Sequence, residues 1–436
     1  MKKMTGEELI AGVDIEQLRG SVGQSVTISA CVHKVRQMSG FAFILLRTGR
    51  YVIQSVYLPD QCGDDISEIK EGCYITATGL VREDERSAYG LELVLTAVEL
   101  LSRPYGEYPL KVSQKRLGCS LDTNLQHRSV ALRNPYERAI FKLTEGVVSG
   151  FRAFMLAEGF TEVHSPKIVA AGAEGGANIF RLKYFDREAF LAQSPQFYKQ
   201  TCVAFFDRVF EIGPVFRAER HNTSRHLNEY TGLDFEMGFI DNMYDVMNME
   251  TAMLRYVLDY LRQHYSHELA LTGARLPEVG EIPSFTFEEA MTLLKKSGGR
   301  ADLEPEDEVK LCQIAREQYG SEFVFVTHFP AAKRPFYAMN DPENGKLALS
   351  FDLLFRGLEI TTGGQRIHDY AQQVEKMRQM GLDPADFASY LDIHKYGMPP
   401  HGGLGIGLER LVMKLLELKN VRQASLFPRD INHLDP

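Results

Sequence analysis

Apolar and polar positions alternate in five short runs over the first hundred residues, at 26–35, 42–47, 52–57, 73–81 and 91–101. Such alternation, rich in β-branched residues, predicts strands with one buried face, because successive side chains leave a pleated backbone on opposite sides. Met38-Ser39-Gly40 and residues 61–65 supply the turns. Five strands at this spacing predict a small closed barrel. The OB-fold is the five-stranded Greek-key form, whose surface commonly takes up oligonucleotides. A barrel with a purely structural job fits the same pattern.

The alternation stops at Arg103-Pro104-Tyr105-Gly106-Glu107-Tyr108-Pro109, where Pro and Gly predict a hinge. We place a barrel domain at 1–103, a hinge at 104–126 and a second domain at 127–436. In that second domain Ile140, Leu143, Val147, Phe151, Phe154 and Met155 recur at helical spacing and predict a helix over 134–158, opened by Asn134-Pro135. Further helices are predicted over 244–263, 287–295 and 305–319. The last has Pro305 in its first position, where no amide hydrogen is needed. Strand-like runs at 323–329, 347–355 and 358–362 lead to a Gly-rich strand-to-helix junction at 402–416. Helices and strands mix without a βαβ rhythm, so the expected class is α+β, with an antiparallel sheet flanked by helices.

Composition narrows the function. With 44% hydrophobic and 25% charged residues, the 436-residue chain is that of an ordinary folded protein. A formal net charge of −9 excludes a bulk nucleic-acid coat, so RNA contact has to come from local patches. Cys31, Cys62, Cys73, Cys119, Cys202 and Cys312 form no CxxC pair and no zinc spacing, which predicts buried thiols in a reducing compartment. No apolar run reaches the roughly 18 residues of a membrane span. A cytoplasmic protein with no membrane partner is therefore expected.

Four groups of residues carry candidate chemistry. Phe216-Arg217-Ala218-Glu219-Arg220, a loop through Arg225-His226, and the strand-like run 230–237 set a guanidinium beside a basic loop, an arrangement that grips phosphate. Alone it also fits a solvated hairpin. The run 403–410 combines glycines, which let backbone approach a ligand, with Arg410 in the following helix. It lacks the Gly-Lys-Ser/Thr ending of a P-loop. Asp352 and Glu359 flank Arg356-Gly357, so a hairpin brings two hard oxygen ligands together, suited to Mg²⁺ beside a triphosphate. Gln193-Ser194-Pro195-Gln196-Phe197-Tyr198-Lys199 offers amides, a hydroxyl and a cation for the wall of an acidic amino-acid pocket, and equally suits the start of a helix.

In this order the segments resemble the motifs of class II aminoacyl-tRNA synthetases: 159–166 as motif 1, 216–219 with 232–236 as motif 2, and 403–410 as motif 3. The archaeal/eukaryotic-like aspartyl type of that family is the nearer resemblance. It rests on Gly172-Ala173-Glu174-Gly175-Gly176-Ala177-Asn178, 193–199, Arg334-Pro335-Phe336-Tyr337, 359–370 and Ser425-Leu426-Phe427-Pro428-Arg429-Asp430. The resemblance spans essentially the whole chain, with the barrel where the family has its anticodon-binding OB domain. It implies attachment of L-aspartate to tRNA(Asp) through an aspartyl-adenylate, with ATP as co-substrate, Mg²⁺ as cofactor and a homodimer formed through motif 1.

Roles follow from the resemblance. Arg217 would hold the α-phosphate, Glu219 the adenine side, and Arg225, His226 and Leu227 the loop over the β- and γ-phosphates. Phe235 would stack on adenine, with Gly407 beside the nucleotide and Arg410 on the other adenine face. Glu359 and Thr362 would ligate Mg²⁺, Thr362 standing where relatives typically carry Ser. Glu174 would meet the aspartate ammonium, with Gln196 and Asp234 nearby and Arg217 and Thr362 bordering the substrate. Lys199 and Arg366 would neutralise its side-chain carboxylate. Arg217, Glu359 and Arg410 carry catalysis by stabilising charge on the phosphoryl oxygens, and no general base is assigned. In the barrel, Phe43 would stack on an anticodon base and Gln54 would read one, although the alternation around Phe43 also fits a core position. His33 stands where aspartate-only enzymes carry Trp. A smaller ring there implies weaker separation of the anticodons GUC and GUU, hence tRNA(Asn) as a second substrate. Three rivals stay open: an asparaginyl-tRNA synthetase, a synthetase-like asparagine-forming ligase, and a non-catalytic RNA-binding paralogue. Lys199 argues against the first, the barrel against the second, and intact Arg217, Glu359 and Arg410 against the third.

Overall fold

In the computed structural model, residues 12–170, 178–220, 223–296 and 302–435 are described. The chain forms two compact units, one ending at Arg138 and the other beginning at Ala139.

In the first unit β1 (Ser25–Gln37), β2 (Ala42–Thr48), β3 (Tyr51–Tyr57), β4 (Tyr74–Glu83) and β5 (Leu91–Ser102) close into a barrel in the order β1-β2-β3-β5-β4. Closure comes from a parallel pairing of β3 with β5, the other pairs being antiparallel. Ala42, Ile44 and Leu46 of β2 face a core shared with Ile28, Ile75 and Leu95. Burial of each large apolar side chain there contributes roughly 1.5–3 kcal/mol. Phe43 and Leu45, the alternate positions, are half-buried on the outer face. The segment expected to be a hinge packs with this unit: Leu110 and Val112 cluster with Ala131, and the Arg133 guanidinium lies over the Tyr108 ring.

The second unit contains β6 (Thr161–Glu162), β7 (Ile168–Val169), β8 (Arg181–Tyr184), β9 (Arg187–Leu191), β10 (Arg208–Phe216), β11 (Glu229–Gly238), β12 (Ser284–Thr286), β13 (Phe323–Thr327), β14 (Ser350–Phe355), β15 (Leu358–Gln365) and β16 (His401–Gly407). Eight of them make one sheet in the order β12-β13-β14-β15-β16-β11-β10-β6. Its centre is antiparallel as expected. The edge pairs β12–β13 and β10–β6 are parallel, which corrects the wholly antiparallel reading. The predicted helices appear as Pro135–Ala157, Met243–His264, Phe287–Leu293 and Pro305–Tyr319. Met243–His264 starts at a reciprocal cap between Asn242 and Asp245, which satisfies amides the first turn leaves open.

The two faces of the sheet have different tasks. On one, Phe235 meets Phe160 and Phe210 meets Phe151, so the Pro135–Ala157 helix packs against apolar side chains. On the other, the polar alternates of β11 meet the helix Gln196–Phe206. Among the described residues no helix is long and apolar enough to cross a membrane.

Candidate active site

A cavity of about 630 Å³ opens on the polar face of the sheet. Gln196, Lys199, Arg217, Glu219, Arg225, His226, Leu227, Asp234, Glu359, Thr362, Arg366, Gly407 and Arg410 all line it. Most of the residues expected to bind substrate thus converge from segments more than 200 positions apart in the chain, 196 to 410. Glu174 lies outside the described residues.

Strand period decides the floor. Tyr230, Gly232 and Asp234 of β11 face the cavity, while Leu233, Phe235 and Met237 point into the core. Phe235 is fully buried with its ring edge-on to Phe160, so the expectation that it stacks on adenine is corrected. Tyr230 is the β11 aromatic on the cavity side. Next to β11 runs the glycine strand β16, with Gly405 opposite Asp234 and Gly403 opposite Glu236. A Cβ on Gly403 would lie 2.2 Å from the Phe235 carbonyl oxygen and 2.3 Å from Glu236 Oε2, and one on Gly405 would lie 2.9 Å from Asp234 Oδ1. Glycine is required at 403 for space, and at 405 a side chain would press on the Asp234 carboxylate.

That space holds a buried charge cluster. Lys199 Nζ donates to Asp234 Oδ1 at 2.9 Å and to the Leu404 carbonyl at 2.7 Å, and lies 3.4 Å from Glu236 Oε2. Arg366 Nε donates to Glu236 Oε1 at 2.9 Å, and its Nη2 to the Gly403 carbonyl at 2.8 Å. Both cations, expected to wait for a substrate carboxylate, are thus already anchored by protein carboxylates. Burial pushes Asp234 up against the opposing pull of Lys199. Burial also works to raise Glu236, but Arg366 and Lys199 outweigh it and hold that carboxyl below its usual range. Burial lowers His401 to about 4. The ring is neutral, with Nδ1 2.9 Å from the Pro399 carbonyl and Nε2 2.9 Å from the Gln200 amide nitrogen.

At the other end of the cavity, Asn228 pins the loop by donating to the Arg217 and Glu219 carbonyls at 2.7 and 2.8 Å. Arg225 Nη2 donates to both carboxylate oxygens of Glu308, at 2.6 and 2.5 Å. Arg410 Nη1 donates to the Glu359 carbonyl at 3.1 Å. Next to it, Glu409 accepts the Thr231 amide on both oxygens at 3.1 and 3.0 Å, and burial pushes it up to about 7. The β14–β15 hairpin brings the two expected carboxylates together. Glu359 Oε1 accepts from Thr362 Oγ1 at 3.0 Å, and Asp352 Oδ2 accepts from Arg334 Nη2 at 2.8 Å. Asp352 Oδ1 is buried, with no partner among the described residues. Burial, and Glu359 against the pull of Arg334, raise Asp352 to about 6.

On the barrel, Phe43 faces outward with its ring edge-on to Phe41 at 5.3 Å, which removes the core reading. Gln54 Nε2 donates to Glu92 at 3.0 Å. The ring of His33 is not presented for stacking. It falls where the β1–β2 register slips between Val32 and Lys34, is 6% exposed, and is lowered to about 4 by burial and then by Arg47 and Arg138. Glu236, Glu308, Glu409 and Tyr230 had no role in the sequence reading. For Tyr230 and Glu236 a signal existed, their even spacing with Asp234. For Glu308, on a helix far from every motif, none did.

Residues 120–431 match the family described as tRNA synthetases class II (D, K and N), and residues 26–101 match the OB-fold nucleic acid binding domain. The chain belongs to the class II tRNA synthetases, with an anticodon-binding OB-fold. It is 43% identical over 426 residues to the aspartate–tRNA(Asp/Asn) ligase of Thermus thermophilus, covering 97% of this chain and 99% of that protein. To the aspartate–tRNA(Asp) ligase of Pyrococcus horikoshii it is 38% identical over 424 residues, covering 95% and 97%. Among solved structures, the asparaginyl-tRNA synthetase of Pyrococcus horikoshii complexed with asparaginyl-adenylate matches with a TM-score of 0.89 at 28% identity, covering 98% of this chain and 100% of that one.

Proposed function

We propose that this chain is an aspartate–tRNA ligase that activates L-aspartate with ATP and charges tRNA(Asn) as well as tRNA(Asp). The choice of aspartate is carried by one observation: Lys199 and Arg366 reach the same end of the cavity, each anchored from behind by a buried carboxylate. Ammonium and guanidinium carry donors only. A carboxylate accepts from both, whereas asparagine would turn its NH₂ against a donor-only wall, and unpaired buried donors are what selective sites reject.

The rest of the cavity fits ATP. Arg217 is assigned to the α-phosphate and Arg225 and His226 to the leaving phosphates, with adenine between Tyr230 and Arg410. The aspartate α-carboxylate attacks the α-phosphorus in line and the bond to pyrophosphate breaks. Arg217 and Arg410 stabilise the charge that builds on the phosphoryl oxygens. The terminal 3′-hydroxyl of tRNA then attacks the aspartyl carbonyl and AMP leaves. Mg²⁺ fits beside Glu359 and Thr362, because both offer hard oxygens at the cavity wall and the neighbouring Asp352 Oδ1 lacks a partner among the described residues. Among the described residues no three His, Cys, Asp or Glu side chains gather into a metal site. When bound, Mg²⁺ supplies charge neutralisation of the triphosphate.

Tolerance of tRNA(Asn) is supported by the withdrawal of His33 into the barrel wall and by the Thermus relative, whose name covers both tRNAs. A homodimer is supported by the motif 1 segment and by three exposed rings in the second unit, Phe205, Phe206 and Phe239. The test is aspartate-dependent pyrophosphate exchange followed by charging of purified tRNA(Asp) and tRNA(Asn). Charging of the two within about tenfold is expected. A thousandfold gap, about 4 kcal/mol, overturns the relaxed specificity, and exchange driven by asparagine instead overturns the ligase assignment.

A further inference from the structure

We infer that Glu308, on the helix Pro305–Tyr319 behind the cavity wall, is a positioning residue that orients Arg225 toward the terminal phosphates of ATP. The inference rests on the reading of Arg225 as a phosphate ligand. Glu308 is 6% exposed and makes two connections at once. Its carboxylate takes Arg225 Nη2 on both oxygens, at 2.6 and 2.5 Å, and its Oε2 accepts the backbone N–H of Glu359 at 2.8 Å. Arg410 ties the same two residues from the other side, donating to the Arg225 carbonyl at 3.4 Å and to the Glu359 carbonyl at 3.1 Å. The loop arginine and the strand that carries the metal-site carboxylate are thereby held as one piece.

A long arginine on a loop loses rotamer freedom when it grips phosphate, and a fixed counter-carboxylate removes that loss beforehand. The contact uses only the Nη2 corner of the guanidinium. Arg225 Nε is buried and has no hydrogen-bond partner among the described residues.

Steady-state exchange with the full-length enzyme tests this. Glu308→Ala should raise the KM values for ATP and pyrophosphate about tenfold. The KM for aspartate and the inhibition constant of AMP, which has only the α-phosphate, should stay within about twofold. Arg225→Ala combined with Glu308→Ala should be no worse than Arg225→Ala alone, because the two act in series. If the alanine variant does not fold, Glu308→Gln, which keeps an acceptor for Glu359, should move the same two constants by a smaller factor. The inference is overturned by unchanged ATP and pyrophosphate constants, by AMP and aspartate constants that rise equally, or by losses that add with those of Arg225→Ala. Should Arg225→Ala itself leave ATP and pyrophosphate binding intact, the assignment of Arg225 falls too, a result distinct from failure of Glu308 alone.

Discussion

Lys199→Met tests whether the anchored cation serves the substrate, the fold, or both. In the native protein one ammonium holds Asp234 Oδ1, the Leu404 carbonyl and, more distantly, Glu236. Lys199, Arg366, Asp234 and Glu236 are all at least 94% buried, and together their formal charges cancel. Methionine nearly preserves the volume and removes the charge, so the cluster is left with one uncompensated carboxylate. Breaking a buried pair on one side costs roughly 3–5 kcal/mol. At about 2 °C per kcal/mol for a unit of this size, the melting temperature should fall by roughly 6–10 °C. The catalytic loss is separate. An aspartate side chain would bring a further negative charge to a cluster that is already negative, and kcat/KM for aspartate should drop by roughly 30- to 1000-fold, about 2–4 kcal/mol. The KM for ATP should stay within about threefold. Adding Asp234→Asn restores charge balance, so the double variant should regain much of the melting temperature and none of the aspartate activity. Thermal melts and pyrophosphate exchange report the two effects independently. A melting temperature within about 1 °C of the parent, or an aspartate KM that does not move, would refute the reasoning.

Tyr230→Ala should raise the ATP KM about tenfold, in line with roughly 1–3 kcal/mol for a lost stacking platform. Phe235→Ala should cost about 3–5 kcal/mol of stability in urea melts, with the ATP KM of the remaining folded enzyme unchanged. Burial pushes Glu250 from 4.5 up to about 8, so the folded protein keeps a proton that the unfolded chain releases across that range. Stability contributed by this group is complete at low pH and is lost as pH rises, by up to about 1.4 kcal/mol per pH unit. Glu250→Gln should therefore gain stability relative to the parent between pH 5 and 8, and a constant difference would contradict the shift. Light scattering at micromolar concentration should give twice the chain mass, and Phe239→Glu, at a ring 72% exposed, should lower it toward the monomer. A fully active monomeric parent would rule the dimer out.

What was legible in the sequence was what periodicity encodes. The barrel strands and the helix Pro305–Tyr319 follow from alternation, helical spacing and a proline at the first turn. The convergence of Arg217, Glu359 and Arg410 came from ordered motifs, since no local pattern states that strands so far apart share a sheet. Phe235 went wrong for a simple reason. It lies between Asp234 and Glu236, and strand period puts it on the face opposite theirs. The burial of His33 was not legible because a register slip turns that residue inward, and a bulge has no signature in alternation. Glu308 was invisible because its partners, Arg225 and the Glu359 amide, are fixed by tertiary packing alone.

The strand β16 has a consequence for how this pocket can change. At 403 and 405 even a methyl group collides with the carboxylates that orient Lys199 and Arg366, or with the carbonyl between them. At 403, therefore, β16 admits no new side chain unless the β11 backbone shifts, and at 405 only one that displaces the Asp234 carboxylate. A change of amino acid that leaves this strand intact has to come from the side chains around it, among them Gln196, Lys199, Asp234 and Arg366. A strand that offers the substrate almost no side chains is accordingly as intolerant of change as the residues that touch it.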